Sequence, residues 1–367
     1  MSRQMKILVM AGGTGGHIYP ALAVAKELMA RGHHIEWVGA RHGMESKVVP
    51  AAGIELHFLS VRGVRGKHRL QSLLGLLRLL FSCLQALVLV WRQRPDCVMG
   101  MGGYAAGPAG LAAWLLRKPL LIHEQNAIAG TTNRLLAPLA KVVAAGFAGA
   151  FGERAGVRVL GNPVRQDFVS IAAEQPWQYQ PERALHLLVV GGSLGAQAIN
   201  EVLPTMISKV QTQGGGLQVI IRHQSGTAHA EQVSRAYEQA GINSKTVTVL
   251  PFIDDMAAAY GWADLVICRA GALTVAELAV SGRPAILIPL PQAIDNHQYW
   301  NARSLSDCGG GLLLEQKDLS ADSLYQLLCG VLAQPDKLAA MSDAALKLAK
   351  PDATADVASC CEELCHV

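Results

Sequence analysis

The chain has 367 residues, of which 51% are hydrophobic and 16% are charged, and its formal net charge is +4 at pH 7. This length indicates two domains, and the apolar fraction is large enough to fill two hydrophobic cores. The charge is too small to indicate a nucleic-acid-binding protein. The eight cysteines form no paired Cys-x-x-Cys motif, which favours reduced thiols in a cytosolic protein over a disulfide framework.

The two ends of the chain carry no clear targeting or metal motif. The first apolar run, residues 7–11, is too short for a secretory signal peptide. Near the other end, Cys360, Cys361, Cys365 and His366 stand close together, but adjacent cysteines are a poor spacing for zinc. We therefore expect neither a leader peptide nor a metal ion.

The chain opens with the pattern of a strand, a glycine-rich loop and a helix. An apolar run at residues 6–11 leads into Gly12-Gly13-Thr14-Gly15-Gly16-His17, and a helical pattern runs from Ala21 to Ala30. The loop lacks the third glycine of a dinucleotide-binding fingerprint, so a nicotinamide cofactor is disfavoured. His17 ends the loop, where an imidazole can act as a general base. A helix-capping or core histidine is the alternative.

Strands and helical patterns alternate through the rest of the first half, which predicts a mostly parallel sheet. Gly100–Pro108 forms a second glycine-rich loop, and His123-Glu124-Gln125-Asn126 is dense in hydrogen-bonding groups. Ligands of such sheets bind outside the carboxyl ends of the strands, so we expect these loops to share one site. The strands are predicted at residues 35–38, 97–99, 120–123 and 142–145.

An apolar stretch at residues 70–91 differs from the rest of the first half. It approaches membrane-spanning length, but Arg78 in its middle makes spanning costly. Its polar residues form a narrow stripe on an otherwise apolar helix. Two interpretations remain open, a core-facing helix or an apolar face lying on anionic lipids. The basic cluster that precedes it consists of Arg62, Arg65, Lys67 and Arg69.

The second half repeats the opening pattern after a polar, proline-bearing linker at residues 174–183. Leu185 to Val190 reads as a strand, Gly191–Ala196 as a glycine loop and Ala198 to Gln211 as a helix. The chain therefore contains two Rossmann-like halves, and the predicted fold class is α/β.

The segment around residue 270 carries the clearest ligand signal of the second half. A strand at residues 263–267 precedes Ala270-Gly271-Ala272, and a helical pattern then runs to a glycine stop at Gly282. The N–H groups and dipole of such a helix N-terminus favour an anion. Glu277, further along the helix, suits sugar hydroxyls. The alternatives are a nucleotide clamp and an ordinary strand–helix turn with a solvated glutamate.

Seven short motifs carry a resemblance that none of them carries alone. They are Gly12–His17, Gly100–Tyr104, His123–Asn126, Gly161-Asn162-Pro163-Val164-Arg165, Gly191-Gly192-Ser193, Arg269–Thr274 and Asp295-Asn296-His297-Gln298. In order and spacing they resemble the GT-B glycosyltransferases of family 28 that act in bacterial peptidoglycan synthesis, over nearly the whole chain. The resemblance implies two Rossmann-like domains with parallel sheets that face a cleft.

The resemblance also implies the division of the chain and its activity. Residues 1–163 would bind the acceptor and the membrane, residues 164–340 would bind UDP-GlcNAc, and residues 341–367 would be a helix packing on the N-terminal domain. The implied reaction is an inverting transfer of GlcNAc from UDP-GlcNAc to the 4-hydroxyl of MurNAc in lipid I, which gives lipid II and UDP. The expected location is the cytoplasmic face of the inner membrane, on an anionic lipid surface. Other cell-wall synthesis proteins are expected as further partners, and no cofactor is expected.

The resemblance assigns roles to particular residues. His17 would be the catalytic base, and Glu277 would hold the ribose. The acceptor diphosphate is expected at main-chain N–H groups of the first-half glycine loops. With no Asp-x-Asp metal motif near the loops, the helix N-terminus would stabilise the leaving diphosphate. The implied UDP-GlcNAc-binding residues are Thr14, Gly15, Gly16, Asn126, Arg165, Ser193, Ile253, Ala272, Leu273, Thr274, Val275, Ala276, Glu277 and Gln298.

Three other classes of protein share some of these features. A GT-B-like UDP-GlcNAc 2-epimerase is the nearest, and it would need no lipid acceptor. A nicotinamide-dependent dehydrogenase needs the complete glycine fingerprint and a ribose-binding acid at a strand end. A non-catalytic membrane scaffold would not bind UDP.

Overall fold

The chain divides into two compact α/β units in a computed structural model that describes residues 3–61, 69–180, 182–192, 195–291 and 293–365. The first unit contains the chain up to Arg165 together with the residues from Pro351 onward, and the second contains Gln166–Lys350. The expected boundary at 163/164 lies two residues before this division.

A parallel sheet with the order β3-β2-β1-β4-β5-β6-β7 forms the centre of the first unit within the described residues. The order reverses direction between β1 and β4, so the loops after these two strands lie side by side. The strands are β1 (Lys6–Met10), β2 (His34–Ala40), β3 (Glu55–Leu59), β4 (Cys97–Gly100), β5 (Leu120–Glu124), β6 (Val142–Ala145) and β7 (Val157–Val159). The helices between them are α1 (Gly15–Ala30), α2 (Glu45–Ala51), α3 (Arg69–Gln93), α4 (Ala106–Leu115) and α5 (Thr131–Leu136).

Both faces of this sheet are covered. Ile7 and Val9 point into one hydrophobic cluster, whereas Leu8 and Met10 point into another on the opposite face. Successive side chains of a strand alternate between faces, so a strand buried on both sides reads as a continuous apolar run. This is why residues 6–11 could be predicted as a parallel strand.

Helix α3 turns Ser82 and Gln85 inward, whereas Arg78, Arg92 and much of its apolar surface face outward. Ser82 is fully buried and donates a hydrogen bond to the carbonyl of Ser60, while the side-chain oxygen of Gln85 accepts the N–H of Ser60. Phe81 and Leu84 are 54% and 63% exposed. The side chains of Ser82 and Gln85 therefore hold the backbone just after β3. The helices of the described part of the chain include none that is long and apolar enough to cross a membrane.

The second unit is built around a parallel sheet with the order β10-β9-β8-β11-β12-β13 in its described residues. Leu185, Leu187 and Val189 point into a hydrophobic cluster on one face of this sheet. The strands are β8 (Leu185–Val190), β9 (Val219–Gln224), β10 (Val247–Leu250), β11 (Leu265–Cys268), β12 (Ala285–Leu287) and β13 (Gly311–Leu313). The helices are α6 (Gln166–Glu174), α7 (Gln197–Gln213), α8 (Ala230–Gln239), α9 (Met256–Trp262), α10 (Ala272–Ser281), α11 (His297–Ser306), α12 (Ala321–Leu332) and α13 (Pro335–Leu348).

The last helix, α14 (Ala353–Cys365), packs against α1 in the first unit. The expected single helix over 341–367 is wrong, because α13 continues to Leu348 and Pro351 prevents it from running on. The hydroxyl of Ser342 donates to the carbonyl of Gly282 at 2.7 Å, which fastens α13 within the second unit. Residues 341–350 therefore belong to the second unit.

Two parallel sheets with helices on both faces confirm the predicted α/β class. One boundary differs in a way that affects the candidate site. Helix α1 begins at Gly15 and not at Ala21, with Pro20 inside it. Thr14, Gly15 and Gly16 are therefore the N-terminal turn of a helix, where N–H groups have no partner within the helix.

Candidate functional site

The two glycine loops of the first unit meet at the reversal of the sheet. Met10 pairs with Gly100 in the sheet, so the segments that follow them start side by side. Gly103 has a φ of +86°, and a Cβ at this residue would lie 2.1 Å from the carbonyl oxygen of Gly12. Only glycine permits this close approach of the two backbones.

His17 lies at the junction of these loops and is half-buried. Its Nδ1 atom is 2.8 Å from the Oε1 atom of Gln125, in the segment that follows β5. A Cβ on Gly102 would lie 3.0 Å from the same Nδ1 atom, so the second glycine loop also contacts the ring. The expected convergence of the three strand ends is thus present within the first unit.

The segment after β5 is fixed by its own buried side chains. One carboxylate oxygen of Glu124 accepts from the backbone and side-chain N–H groups of Asn126, and the other accepts from Gly130 and Asn133. The side-chain amide of Asn162 donates to the carbonyl of Gln125 at 2.9 Å. The Gly161–Arg165 motif therefore supports this loop.

A buried carboxylate lies under the first glycine loop. Glu45 is fully buried, and it accepts the N–H groups of Ala40 at 2.8 Å and Gly13 at 3.3 Å. The Gly13 N–H is thus already bonded to a side chain of the protein. Glu45 and Gly13 line a cavity of about 380 Å³, together with His42 and Tyr104.

The second unit has an equivalent reversal between β8 and β11. Val190 pairs with Cys268, which brings the glycine loop after β8 beside the turn after β11. Ser193, which was expected to reach a phosphate from this loop, lies outside the described residues. The side-chain amide of Gln224 donates to the carbonyl of Gly192 at 2.9 Å and holds the near end of the loop.

Helix α10 begins where the sequence predicted. Gly271 is its N-cap and has no side chain to satisfy the first N–H groups, and Gly282 ends it in the left-handed conformation with a φ of +62°. Leu273, Thr274, Ala276 and Glu277 are half-buried, whereas the side chains of Ala272 and Val275 are buried. Ala272 and Val275 can therefore contribute to a ligand site only through their backbones.

Two side chains, one half-buried and one fully buried, hold the start of α10 in place. The Arg269 guanidinium donates to the carbonyls of Ile288 and Pro289 and to the side chain of Gln316, and burial lowers the pKa of Arg269. Asn301 is fully buried and donates to the carbonyl of Ala270 at 3.2 Å. Sequence reasoning gave neither residue a role.

The remaining expected residues of the second unit lie in the loops after β10 and β12. Ile253 is buried beside Phe252, which is 49% exposed, and Asp255 caps α9 by accepting the N–H of Ala258. The side-chain oxygen of Gln298 accepts the N–H of Leu290 at 3.0 Å, which leaves its amide N–H groups to donate.

Potential metal ligands of the described residues lie away from these loops. Glu36, Glu55 and His57 place ligand atoms within 4.8 Å of one another, but the Lys6 ammonium group lies 2.6 Å from the Glu36 carboxylate and supplies its counter-charge. Near the C-terminus, Cys360 and Cys361 are buried in the core. His366 lies outside the described residues.

The structure thus brings Thr14, Gly15, Gly16 and His17 to one edge of the first sheet, near Asn126, and leaves Arg165 exposed where this unit ends. The supporting residues Glu45, His123, Glu124 and Gln125 had no predicted role. His123 and Gln125 belong to the motif His123-Glu124-Gln125-Asn126, which is dense in hydrogen-bonding groups. That density is the only feature of the sequence that indicated a role for them.

Comparison with known proteins identifies the family. The model of the glycosyltransferase family 28 N-terminal domain matches residues 7–145, and that of the family 28 C-terminal domain matches residues 186–357. The fold and these matches define a glycosyltransferase with two Rossmann-like domains. The chain belongs to glycosyltransferase family 28.

Similar proteins include relatives and a solved structure of nearly the same length. UDP-N-acetylglucosamine–N-acetylmuramyl-(pentapeptide) pyrophosphoryl-undecaprenol N-acetylglucosamine transferases from Stutzerimonas stutzeri and Alkalilimnicola ehrlichii are 48% and 50% identical, and each alignment covers 98% of this chain and 99% of the relative. The crystal structure of Acinetobacter baumannii MurG is 37% identical with a TM-score of 0.82, covering 98% of this chain and 99% of that one. A UDP-GlcNAc 2-epimerase from Neisseria meningitidis, 12% identical with a TM-score of 0.66, shares the fold alone.

Proposed function

We propose that the protein transfers GlcNAc from UDP-GlcNAc to the 4-hydroxyl of MurNAc in lipid I, releasing UDP and lipid II. The observation that carries this proposal is the near-full-length identity of 48–50% to transferases named for this reaction. The local geometry agrees with it, since a helix N-terminus without a side-chain cap lies one to two turns from a half-buried glutamate.

The donor binds to the second unit in this proposal. Backbone N–H groups at the start of α10 hold the diphosphate, and Ser193 adds a contact from the neighbouring loop. Glu277 accepts hydrogen bonds from the ribose, and the backbone of Ile253 meets the uracil. Gln298 donates to the GlcNAc hydroxyls. Negative charge that develops on the leaving diphosphate is stabilised by the α10 N-terminus and Arg165.

The acceptor binds to the first unit. Because the Gly13 N–H is bonded to Glu45, the acceptor diphosphate takes other main-chain N–H groups of the first-unit glycine loops. Thr14, Gly15, Gly16 and Asn126 help to close the site on the donor. The imidazole of His17 takes the proton of the attacking hydroxyl, so one direct displacement inverts the anomeric carbon.

A transfer assay tests the proposal. Radiolabelled GlcNAc is followed from UDP-GlcNAc into a lipid I analogue, with EDTA present, for the native chain and for His17→Ala and Glu277→Ala. His34→Ala and Glu231→Ala are the matched controls, since both of these side chains are exposed and lie outside the candidate site.

We expect labelled lipid from the native chain and from both controls. In His17→Ala the rate of transfer should fall by about 10²-fold or more. Activity that survives in His17→Ala would remove the assigned base but keep the reaction. Bound UDP-GlcNAc without any labelled lipid would overturn the proposed reaction in favour of epimerase chemistry.

We further propose that the first unit docks on the anionic lipid of the cytoplasmic face of the inner membrane. Helix α3 supports this, because its polar residues Ser82 and Gln85 face inward while large apolar side chains face solvent. Helix α4 contacts α3 and adds exposed Trp114 and Leu115. The basic residues Arg62, Arg65 and Lys67 lie outside the described residues. The exposed apolar side chains of α3 are Leu77, Leu79, Leu80, Phe81, Leu84, Val88 and Trp91.

Co-sedimentation with vesicles tests this docking. We expect binding to phosphatidylglycerol vesicles that is weakened by Phe81→Ser with Leu84→Ser, and by Arg65→Glu with Lys67→Glu, because both apolar burial and charge contribute. Ile220→Ser, an exposed apolar residue of the second unit, is the control. Equal binding by all variants, or none by the native chain, would contradict the proposal.

A further inference from the structure

A line of hydrogen bonds runs from the backbone of Gly161 to the ring of His17. The Nε2 atom of His123 is 2.8 Å from the carbonyl oxygen of Gly161, and its Nδ1 atom is 3.2 Å from the side-chain nitrogen of Gln125. The side-chain oxygen of Gln125 is in turn 2.8 Å from the Nδ1 atom of His17. His123 and Gln125 are almost fully buried, at 0% and 1% exposure.

The first hydrogen bond fixes the proton of His123. A carbonyl oxygen can only accept, so the Nε2 atom of His123 must carry the hydrogen. Burial lowers the pKa of His123 to about 4, despite the opposing effect of its hydrogen bond to Gly161, so the ring is neutral near pH 7. Its Nδ1 atom is therefore an acceptor.

The surroundings of Gln125 then fix its amide. Its nitrogen faces three acceptors, which are the Nδ1 atom of His123, the carbonyl oxygen of His123 and the sulfur of Met101. An amide turned the other way would place its oxygen against all three of these acceptors, which is unfavourable. The Gln125 oxygen therefore faces His17, and it can accept only from an Nδ1 atom that carries a hydrogen.

We propose that Gln125 is a positioning residue that holds neutral His17 in the tautomer with hydrogen on Nδ1 and a lone pair on Nε2. This inference rests on the proposed function, in which His17 is the base. The Nε2 atom makes no hydrogen bond to the described residues, so its lone pair can face a substrate. Two neighbours keep the His17 and Gln125 side chains in contact. Asn162 donates to the Gln125 carbonyl, and Gly102 contacts the His17 ring.

The arrangement balances the proton in the transfer step. The acceptor hydroxyl gives its proton to Nε2 while its oxygen bonds to the anomeric carbon. The bond from that carbon to UDP breaks, and the electron pair leaves with the diphosphate. His17 becomes an imidazolium whose Nδ1 hydrogen remains on the Gln125 oxygen, so the base needs no rotation during the step.

Two substitutions of Gln125 separate positioning from general stability. Gln125→Met keeps the volume and removes the acceptor, so kcat should fall by about 10- to 100-fold with an unchanged KM for UDP-GlcNAc. Gln125→Glu places a carboxylate on Nδ1 and favours the imidazolium. The acid limb of the kcat/KM profile should then move up by about one pH unit or more. Glu45 and Glu124, the charged groups on the surrounding loops, are unchanged in both variants.

Gln93→Met serves as the matched control, because Gln93 accepts a hydrogen bond from Lys6 away from the site. It should leave both the profile and kcat unchanged. All activities are measured with a soluble acceptor analogue, so that membrane docking does not enter.

Nitrogen-15 NMR of the native chain with labelled histidine reports the tautomer directly. The His17 signals are those that disappear from the spectrum of His17→Gln. We expect hydrogen on Nδ1 of neutral His17, and mixed tautomers in Gln125→Met. Hydrogen on Nε2 in the native chain, or an acid limb that does not move in Gln125→Glu, would overturn the proposal. Full activity of His17→Ala would instead remove the base from the proposed function, while the NMR result would still decide the tautomer.

Discussion

The carboxylate of Glu45 accepts the backbone N–H of Gly13 and thereby ties helix α2 to the loop that precedes His17. Three glycines make room for this side chain. A Cβ on Gly12, Gly39 or Gly43 would lie 2.7, 2.5 or 2.0 Å from the nearest atom of Glu45. The three glycines therefore make room for a buried side chain.

A double-mutant cycle tests this packing. Gly43→Ala should lower the free energy of unfolding by about 2 kcal/mol or more, because the new Cβ would overlap the carboxylate. In a Glu45→Ala background the same change should cost little, since the overlap is gone. Urea unfolding of the four proteins gives the coupling energy.

Gly330→Ala is the control for the cycle, because a Cβ there meets nothing within 4 Å. As Gly330 lies inside α12, this change should stabilise the chain by about 0.5–1 kcal/mol. Equal costs of Gly43→Ala in both backgrounds would show that Glu45 does not occupy the space described.

The parts of the fold that could be predicted from the sequence are those that depend on local patterns of residues. The strand, turn and helix around Gly271, and the helix end at Gly282, depend on neighbouring residues that are visible in the sequence. Helix α1 was expected to start after Pro20, whereas packing of Ile18 and Ala21 on the core extends it back to Gly15. Proline is a probable helix boundary, but tertiary contacts can override it.

The site was less predictable because its supports are distant in sequence. Gln125 is 108 residues from His17, and the side chain of Asn301 reaches the carbonyl of Ala270 from another helix. Glu45 looks like an ordinary first-turn glutamate, and only the fold shows that it is buried. The sequence could therefore indicate which loops carry ligand-binding residues, but not which side chains hold those loops.

Arg269 offers a second test, because its guanidinium binds protein groups beside the start of α10. It holds the carbonyls of Ile288 and Pro289, and the next residue, Leu290, donates to Gln298. Arg269→Lys keeps the charge but loses the fork of donors. It should lower the free energy of unfolding by about 2 kcal/mol and raise the KM for UDP-GlcNAc.

Arg235→Lys is the control for this substitution, since Arg235 forms an exposed ion pair with Glu231 on α8. Its effect on unfolding should be below about 0.5 kcal/mol. If Arg269→Lys keeps the native stability and the native KM for UDP-GlcNAc, this position needs only a positive charge. That result would contradict the role of the guanidinium in holding the two carbonyls.

The buried His223 predicts how stability depends on pH. Its Nδ1 atom meets the hydroxyl of Tyr237, its Nε2 atom meets the side-chain oxygen of Asn200, and burial lowers the pKa of His223 to about 4. In the unfolded state the His223 imidazole becomes protonated below about pH 6.5, whereas in the folded state it stays neutral until about pH 4. The unfolded state then binds more protons, so the free energy of unfolding falls as pH falls through this window.

The loss for such a histidine is at most about 3 kcal/mol, complete near pH 4. Urea unfolding between pH 6.5 and 5, where most carboxylates stay ionised, should show a slope that His223→Gln reduces. His34→Gln, at an exposed position, should keep the native slope. An unchanged slope in His223→Gln would mean that this ring does not stay neutral in the folded chain, because a group that titrates alike in both states contributes nothing to the pH dependence.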